Sequence, residues 1–338
     1  MRRSRPHPRG SSVLAVGILT LAAGGMAAVL AGCGDDAETG PATPPAEFLE
    51  AQNLSGRACL LQFGSIRGRL SQQNLARLVE LHAAGATPDL AFIRVEMTPD
   101  ADAVEAYYSP PNKPPFPIYH DADASVARGF GVSVHPQAVL VDRFGHVRYR
   151  GPMQDEVTLF DWYNALVAEA TDPGPEAPTF GLSVETAGRL LAATRLPTLE
   201  GQPAALDEAL LPGGMLAVFV DTQCPFSGEA VGDIRKVVAG LAEHDISTVL
   251  INVGDPEEEV RPFYAGKDPG VPVLFDTSNA TEKAWHVDKV PKACYFTGEG
   301  TLLYRGKALW DNVAAAAEEA HGLEPGAIQF PVKGTEFG

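Results

Sequence analysis

The stretch from Leu216 to Val238, "LAVFVDTQCPFSGEAVGDIRKVV", decides the predicted fold. Its apolar beginning is typical of a buried strand, residues 221–223 indicate a polar turn, and the apolar spacing after Cys224 indicates an amphipathic helix. Pro225 suits the first turn of that helix, where no N–H partner is lost. A thiol at a helix N-terminus lies among unpaired N–H groups, which favour its thiolate form. The stretch therefore predicts a reactive thiol at Cys224; the alternative is a buried structural cysteine.

The chain contains a second, earlier copy of this pattern. Residues 59–83, "CLLQFGSIRGRLSQQNLARLVELHA", also pass from an apolar run through a polar turn into a helical pattern. Equivalent residues are 156 positions apart in the first half of each copy and 155 apart in the second half. The aligned pairs are Phe63 and Phe219, Gly68 and Cys224, Ser71 and Ser227, Pro117 and Pro272, Asp121 and Asp276, Pro136 and Pro291, and Gly145 and Gly300. A register kept over so many residues indicates a tandem duplication.

Each copy is predicted to form a strand–helix–strand unit followed by a hairpin and a final helix. Alternating strand and helix patterns indicate parallel strands joined by right-handed crossovers, and the hairpin adds antiparallel strands. The predicted fold class is α/β, with two tandem domains that each have a central mixed β-sheet flanked by helices. The Pro-rich segment 171–180 is predicted to join the copies, and segments 183–194 and 196–214 are predicted to be helical.

These patterns resemble the thioredoxin-like superfamily, and within it the redoxin branch of exported, membrane-anchored thiol–disulfide proteins. The resemblance rests on a cysteine that opens a helix after a strand and on an X-Pro step before the hairpin, as in "KVPKACYF". It covers both copies, residues 48–172 and residues 173–330. It implies cis peptide bonds before Pro136 and Pro291, with Pro291 facing Cys224 and the Val290 backbone contacting an extended substrate.

The second copy departs from a C-x-x-C motif because Ser227 replaces the resolving cysteine in "CPFS". Ser227 is predicted to belong to the catalytic site, where its hydroxyl hydrogen-bonds the thiolate but cannot close a disulfide. Cys224 alone would then form mixed disulfides, which another thiol must release. That thiol belongs to a small molecule, to a partner protein or to Cys294. The counterpart of Cys294 in the first copy is Val139, which favours burial of Cys294 over a role as the resolving thiol. Cys59 lies in a short apolar run and is predicted to be buried.

The first copy has no thiol at the position equivalent to Cys224. Gly68 stands there, and Ser71 follows at the second motif position, before Pro136 in the loop. Without a thiol this copy cannot do disulfide chemistry, so we predict a degenerate domain that serves packing or partner binding. His135 is interpreted as a polar loop residue, with a place in the vestigial cleft as the alternative.

The N-terminal residues indicate export. Four arginines in residues 1–10 precede an uncharged apolar run, as in a secretory signal. The run ends in Leu-Ala-Gly-Cys, which resembles the lipobox of bacterial lipoproteins and implies a signal peptide of residues 1–32 with lipid on Cys33. Residues 33–47 are predicted to be a flexible tether. The expected location is the periplasmic side of a bacterial membrane, held through the lipid; an uncleaved anchor is the alternative.

Charge and cysteine spacing limit the possible functions. The formal net charge of −17 argues against binding to nucleic acid. The cysteine spacing matches no zinc motif, so no metal and no cofactor is expected. The leading hypothesis is a thiol–disulfide oxidoreductase whose partners are exported proteins with thiols or disulfides, or a low-molecular-weight thiol. The alternatives are a non-catalytic scaffold and a thiol-dependent peroxidase; Thr222 stands two residues before Cys224, whereas peroxiredoxins have threonine three before.

Overall fold

The computed structural model describes residues 42–175 and 177–330. These residues belong to one compact unit. The predicted signal peptide (1–32), the predicted lipidation site Cys33 and the tether up to residue 41 lie outside the described residues. In the part of the chain that is described, no helix is both long and apolar enough to cross a membrane.

Both repeats contain the strand–helix–strand unit, the hairpin and the final helix that the sequence pattern predicts, together with further short elements. In the first repeat these are α1 (Pro45–Ala51), β1 (Cys59–Gly64), α2 (Arg69–Ala84), β2 (Ala91–Glu96), α3 (Ala101–Tyr107), β3 (Ile118–His120), α4 (Ser125–Gly129), β4 (Gln137–Val141), β5 (Val147–Gly151) and α5 (Glu156–Ala168). Then follow α6 (Val184–Ala193), β6 (Arg195–Pro197), β7 (Pro203–Ala205), β8 (Gly214–Val220), α7 (Pro225–Ala242), β9 (Ile246–Val253), α8 (Glu257–Tyr264), β10 (Val273–Asp276), α9 (Ala280–Ala284), β11 (Lys292–Phe296), β12 (Leu302–Lys307) and α10 (Trp310–Ala320).

The two five-stranded sheets have the same topology. The strand order is β3-β2-β1-β4-β5 in domain 1 and β10-β9-β8-β11-β12 in domain 2. The first three strands of each sheet are parallel, and the final hairpin joins antiparallel to the central strand. The prediction of two tandem domains, each with a mixed sheet flanked by helices, is confirmed.

Each sheet is covered by helices on both faces. Successive residues of a strand point to opposite sides of the sheet. In β8, Val218 therefore packs in the same apolar cluster as Ile234 of α7, whereas Phe219 packs with Trp285 and with Leu191 of α6. The loop after β8 is thus held above a core that is buried from both sides, and this core fixes the start of α7.

Two segments differ from the expectation. Helix α1 begins at Pro45, within the segment predicted to be a tether, and it buries Phe48 and Leu49. The prediction of a helix over 196–214 is wrong: β6 and β7 form a hairpin there, followed by the 3-10 turn Asp207–Ala209. Pro203 cannot donate a helical hydrogen bond, and Gly201, with a φ of 80°, forms the turn. The helix predicted at 183–194 is present as α6.

The duplication extends to individual side chains. The Tyr149 hydroxyl donates to the Pro152 carbonyl at 2.7 Å, and the Tyr304 hydroxyl donates to the Lys307 carbonyl at the same distance. The peptide bonds before Pro136 and Pro291 are both cis, as the resemblance implies. The two domains therefore share the loops beside the predicted sites as well as the order of their strands.

Candidate active site

Cys224 lies where β8 has ended and α7 begins. It is the N-cap residue of α7, with an extended backbone, and Pro225 is the first helical residue. Its side chain is half-buried, and its thiol donates to the Val290 carbonyl at 3.5 Å. The sulfur therefore lies between the N-terminus of α7 and the Val290–Pro291 step. The geometry brings together the predicted nucleophile and the predicted proline loop.

Carboxylates hold the turn that carries Cys224. The Cys224 N–H donates to the Asp221 carboxylate, and the Thr222 N–H donates to the buried Asp255 at 2.7 Å. The exposed Gln223 side chain donates to Glu259 at 2.7 Å. These bonds satisfy the polar groups of the turn and fix the direction of the thiol. Asp255 lies 33 positions from Thr222, so no local pattern could predict that contact. The Asp221 contact is local, since an aspartate side chain that accepts a nearby backbone N–H is typical of a turn.

Ser227 lies beneath the same turn. Its side chain is fully buried, and its hydroxyl accepts a hydrogen bond from the Asp221 N–H at 3.2 Å. Ser71 does the same in domain 1, where its hydroxyl accepts from the Ser65 N–H at 3.0 Å. The motif serine therefore supports the turn in both domains. A catalytic role for Ser227 stays a prediction.

Lys292 follows Pro291 but turns away from solvent. It is 8% exposed, and its ammonium pairs with Asp288 and lies 3.4 Å from the His286 carbonyl. Burial lowers the pKa of Lys292, and the positive charge of Arg305 lowers it further. Burial alone would raise the pKa of Asp288, but the hydrogen bond and charge of Lys292 outweigh it and lower that pKa. This ion pair fixes the loop before β11.

The other two described cysteines are buried. Cys294 belongs to the apolar cluster of Phe219 and Trp285, on the face of the sheet opposite α7. Burial raises the pKa of Cys294 to about 11 and that of Cys59 to about 12. Both thiols are free, and the structure does not bring Cys294 to Cys224. We therefore leave Cys294 out of the proposed chemistry and assign it to the core.

The degenerate site of domain 1 is occupied by a carboxylate from domain 2. Glu319, at the end of α10, accepts a hydrogen bond from the Ser71 N–H at 3.1 Å and is bonded to the Ser71 hydroxyl. Nδ1 of His135 lies 2.8 Å from the same carboxylate, which places His135 in the vestigial cleft. A Cβ atom at Gly68 would lie 2.2 Å from the Glu319 carboxyl carbon, so glycine leaves the room that the carboxylate needs.

A cleft of about 1180 Å³ opens at Cys224 between the two domains. Domain 2 contributes Cys224 and Pro291 to its lining, and domain 1 contributes α2 and the loop between β5 and α5. The Arg305 guanidinium donates to the Gln154 side chain at 3.3 Å and joins the two sides. Among the described residues, no group of three or more histidine, cysteine, aspartate or glutamate side chains is arranged to hold a metal ion.

The sheet order, with a cysteine at a helix N-terminus facing a cis-proline, defines the class of the chain. The chain has the fold of two tandem thioredoxin-like domains, one with a thiol at the site and one without.

Comparisons with known proteins were made with the sequence and with the structure. No protein-family model and no curated protein matches the sequence. A secreted disulfide oxidoreductase of Mycobacterium tuberculosis is 17% identical, with a TM-score of 0.33 over 38% of this chain and 96% of its own. The exposed lipoprotein thioredoxin of Streptococcus pneumoniae is 17% identical, with a TM-score of 0.34 over 37% and 98%. A hypothetical protein of Sinorhizobium meliloti is 24% identical, with a TM-score of 0.35 over 42% and 87%.

Proposed function

We propose that this protein is an exported thiol–disulfide oxidoreductase that acts through Cys224 alone. The observation that carries the proposal is the placement of Cys224: it is the N-cap residue of α7, its half-buried thiol lies beside the Val290 carbonyl and lines the cleft, while Cys59 and Cys294 are buried. The N–H groups and dipole at a helix N-terminus stabilise a thiolate, which is the form that attacks disulfides. Lipid on Cys33 would hold the protein at the membrane where its substrates pass.

The reaction is a thiol–disulfide exchange. The Cys224 thiolate attacks one sulfur of a substrate disulfide, a new S–S bond forms, and the other sulfur leaves as a thiolate that takes a proton from water. A thiol from outside the domain, on a small molecule or a partner protein, then attacks the mixed disulfide and releases Cys224. The same steps in reverse oxidise a substrate thiol, so the supply of thiols or disulfides sets the direction.

Trapping the mixed disulfide tests the proposal. The full chain with Cys33→Ser is incubated with glutathione disulfide and analysed by intact-mass and peptide mass spectrometry. We expect one glutathione adduct, located on Cys224 and absent from the Cys224→Ser variant. Cys294→Ser is the matched control and should form the adduct as the parent does. Absence of an adduct on Cys224 in the folded parent would refute the proposal.

A non-catalytic scaffold is the second candidate function, and one observation favours it. Glu319 fills the place in domain 1 that is equivalent to the Cys224 site, so that half of the molecule uses this place for contact between the domains. If Cys224 of the folded protein forms no mixed disulfide, then neither domain has a redox role and the scaffold function is supported.

A further inference from the structure

We propose that Glu319, bound in the thiol-free site of domain 1, fixes that domain as the second wall of the Cys224 cleft. We infer that this wall restricts the enzyme to disulfides on extended, unfolded polypeptide segments and excludes those on folded protein surfaces. The inference rests on the function proposed above and names the substrate class of the same site.

The N-terminus of α2 binds the Glu319 carboxylate. Gly68 is the N-cap of α2, as Cys224 is the N-cap of α7, so both helices present N–H groups at equivalent places. In domain 1 the negative group at this place is the Glu319 carboxylate, whose side chain is 3% exposed. An anion at a helix N-terminus is stabilised by the N–H groups and the dipole. The carboxylate therefore takes the position of a thiolate and binds domain 2 to domain 1.

Contacts beside Glu319 also hold domain 1 against domain 2. Arg69 pairs with Glu318 at 3.1 Å. Glu318 is buried, and its other oxygen accepts hydrogen bonds from the N–H groups of Gly326 and Ile328. Leu70, also on α2, is 5% exposed and belongs to the apolar core cluster of domain 2. Domain 1 is thus packed against domain 2 by charged and apolar contacts together, and α2 is the element that makes them.

The wall formed by domain 1 borders the same cleft as the Cys224 sulfur. Leu70 and the domain 1 residues Met153 and Val157 line the same cleft as Cys224. A disulfide on the convex surface of a folded protein has to enter between two domains to meet the thiol. Neighbouring strands lie about 5 Å apart, so a single extended segment needs far less room between two domains than a folded protein does.

The lining of the cleft includes exposed apolar side chains. Two exposed apolar side chains border the cleft, Val157 of domain 1, which is 70% exposed, and Phe226 of α7, which is 43% exposed. Unfolded chains expose apolar side chains that folded proteins bury, so such a lining suits them. The volume of about 1180 Å³ is larger than a site for one small molecule needs; such sites usually measure about 300–1,000 Å³.

The test compares three substrates in the full chain carrying Cys33→Ser. These are glutathione disulfide, a linear peptide with a mixed glutathione disulfide at one cysteine, and a folded protein with the same mixed disulfide on its surface. Rate constants for transfer to Cys224 are measured for the parent and for Glu319→Ala, which removes the carboxylate. Gly68→Ala, whose added methyl group displaces the carboxylate from the opposite side, is the second variant. Glu200→Ala, at an exposed glutamate in the β6–β7 loop, is the matched control.

We expect the parent to react at least about tenfold faster with the peptide than with the folded protein, since association rate constants of closely related complexes differ by about one to three decades. Glu319→Ala and Gly68→Ala should raise the rate with the folded protein several-fold, and the rate with glutathione disulfide should stay the same. An unchanged ratio in both variants, with normal reaction of glutathione disulfide, overturns the inference alone. A parent that does not react with glutathione disulfide overturns the proposed function as well, so the two failures are distinct.

Discussion

Cys224, Cys59 and Cys294 are chemically the same side chain in three different surroundings. The first lies at the N-terminus of a helix and lines a cleft, and the other two are fully buried in apolar clusters. Only a sulfur that can become a thiolate and meet another sulfur takes part in exchange. The position of each residue in the fold, and not the number of cysteines, therefore decides which thiol is used.

The buried carboxylate of Glu96 makes the stability of the fold depend on pH. It is fully buried in domain 1, pairs with Arg94 at 2.8 Å, and accepts hydrogen bonds from the side chains of Tyr108 and Thr98. Burial alone would raise the pKa of Glu96, but the charge of Arg94 and these hydrogen bonds outweigh it, and the pKa lies below its ordinary value of 4.5. The stabilisation is therefore complete above pH 4.5 and is lost as the pH falls through the lower, folded-state pKa.

We expect Glu96→Gln to lower the free energy of unfolding at pH 7 by about 3 kcal/mol, because removing one partner of a buried pair leaves Arg94 uncompensated. The variant should also lose less stability than the parent on acidification below pH 4.5. Urea titrations at pH 7 and pH 4 measure both effects. Glu47→Gln, at an exposed glutamate, is the control and should change neither. Equal acid sensitivity in Glu96→Gln and the parent would contradict this account.

The turn between β8 and α7 is the element that presents the thiol. Its backbone depends on the Ser227 hydroxyl, which accepts the Asp221 N–H. We expect Ser227→Ala to cost about 1–3 kcal/mol of stability, since a buried N–H loses its partner. The variant should still form the mixed disulfide at Cys224. Urea unfolding and adduct mass measure the two effects; a folded variant that no longer reacts would instead assign Ser227 a direct part in the chemistry.

Local patterns predicted most of the secondary structure. The apolar run and helical spacing around Cys224 are set by neighbours in sequence, and the repeat predicted the second sheet. The helix predicted over 196–214 was wrong because Gly201 and Pro203 favour a turn, which the β6–β7 hairpin contains. The Glu319 contact could not be predicted, since it joins residues 248 positions apart and no local pattern marks it.

At the scale of the whole molecule, the two domains are expected to unfold together. Leu70 extends from α2 into the core cluster of domain 2, beside the Arg69–Glu318 and Ser71–Glu319 contacts. Elements that share a buried core and buried charge contacts tend to unfold as one cooperative unit. This coupling is what would keep domain 1 in place as a wall of the cleft.

Leu70→Ala tests the coupling. Truncating a buried leucine costs about 2–5 kcal/mol, and here the loss falls on the interface. We expect one urea transition in the parent and two in the variant, with Trp162 reporting on domain 1 and Trp285 on domain 2 in single-tryptophan backgrounds. Leu166→Ala, within the core of domain 1, is the matched control and should destabilise without separating the probes. Separate transitions already in the parent would contradict a coupled pair.

The central claim, that Cys224 is the reactive thiol, is tested most directly by alkylation at pH 7. The full chain with Cys33→Ser is treated with iodoacetamide, and labelling of Cys59, Cys224 and Cys294 is followed separately by peptide mass spectrometry. The account predicts that Cys224 reacts faster than free cysteine, by about tenfold, and that the two buried thiols are labelled only after unfolding. Labelling of Cys224 that is slower than free cysteine in the folded protein would contradict it.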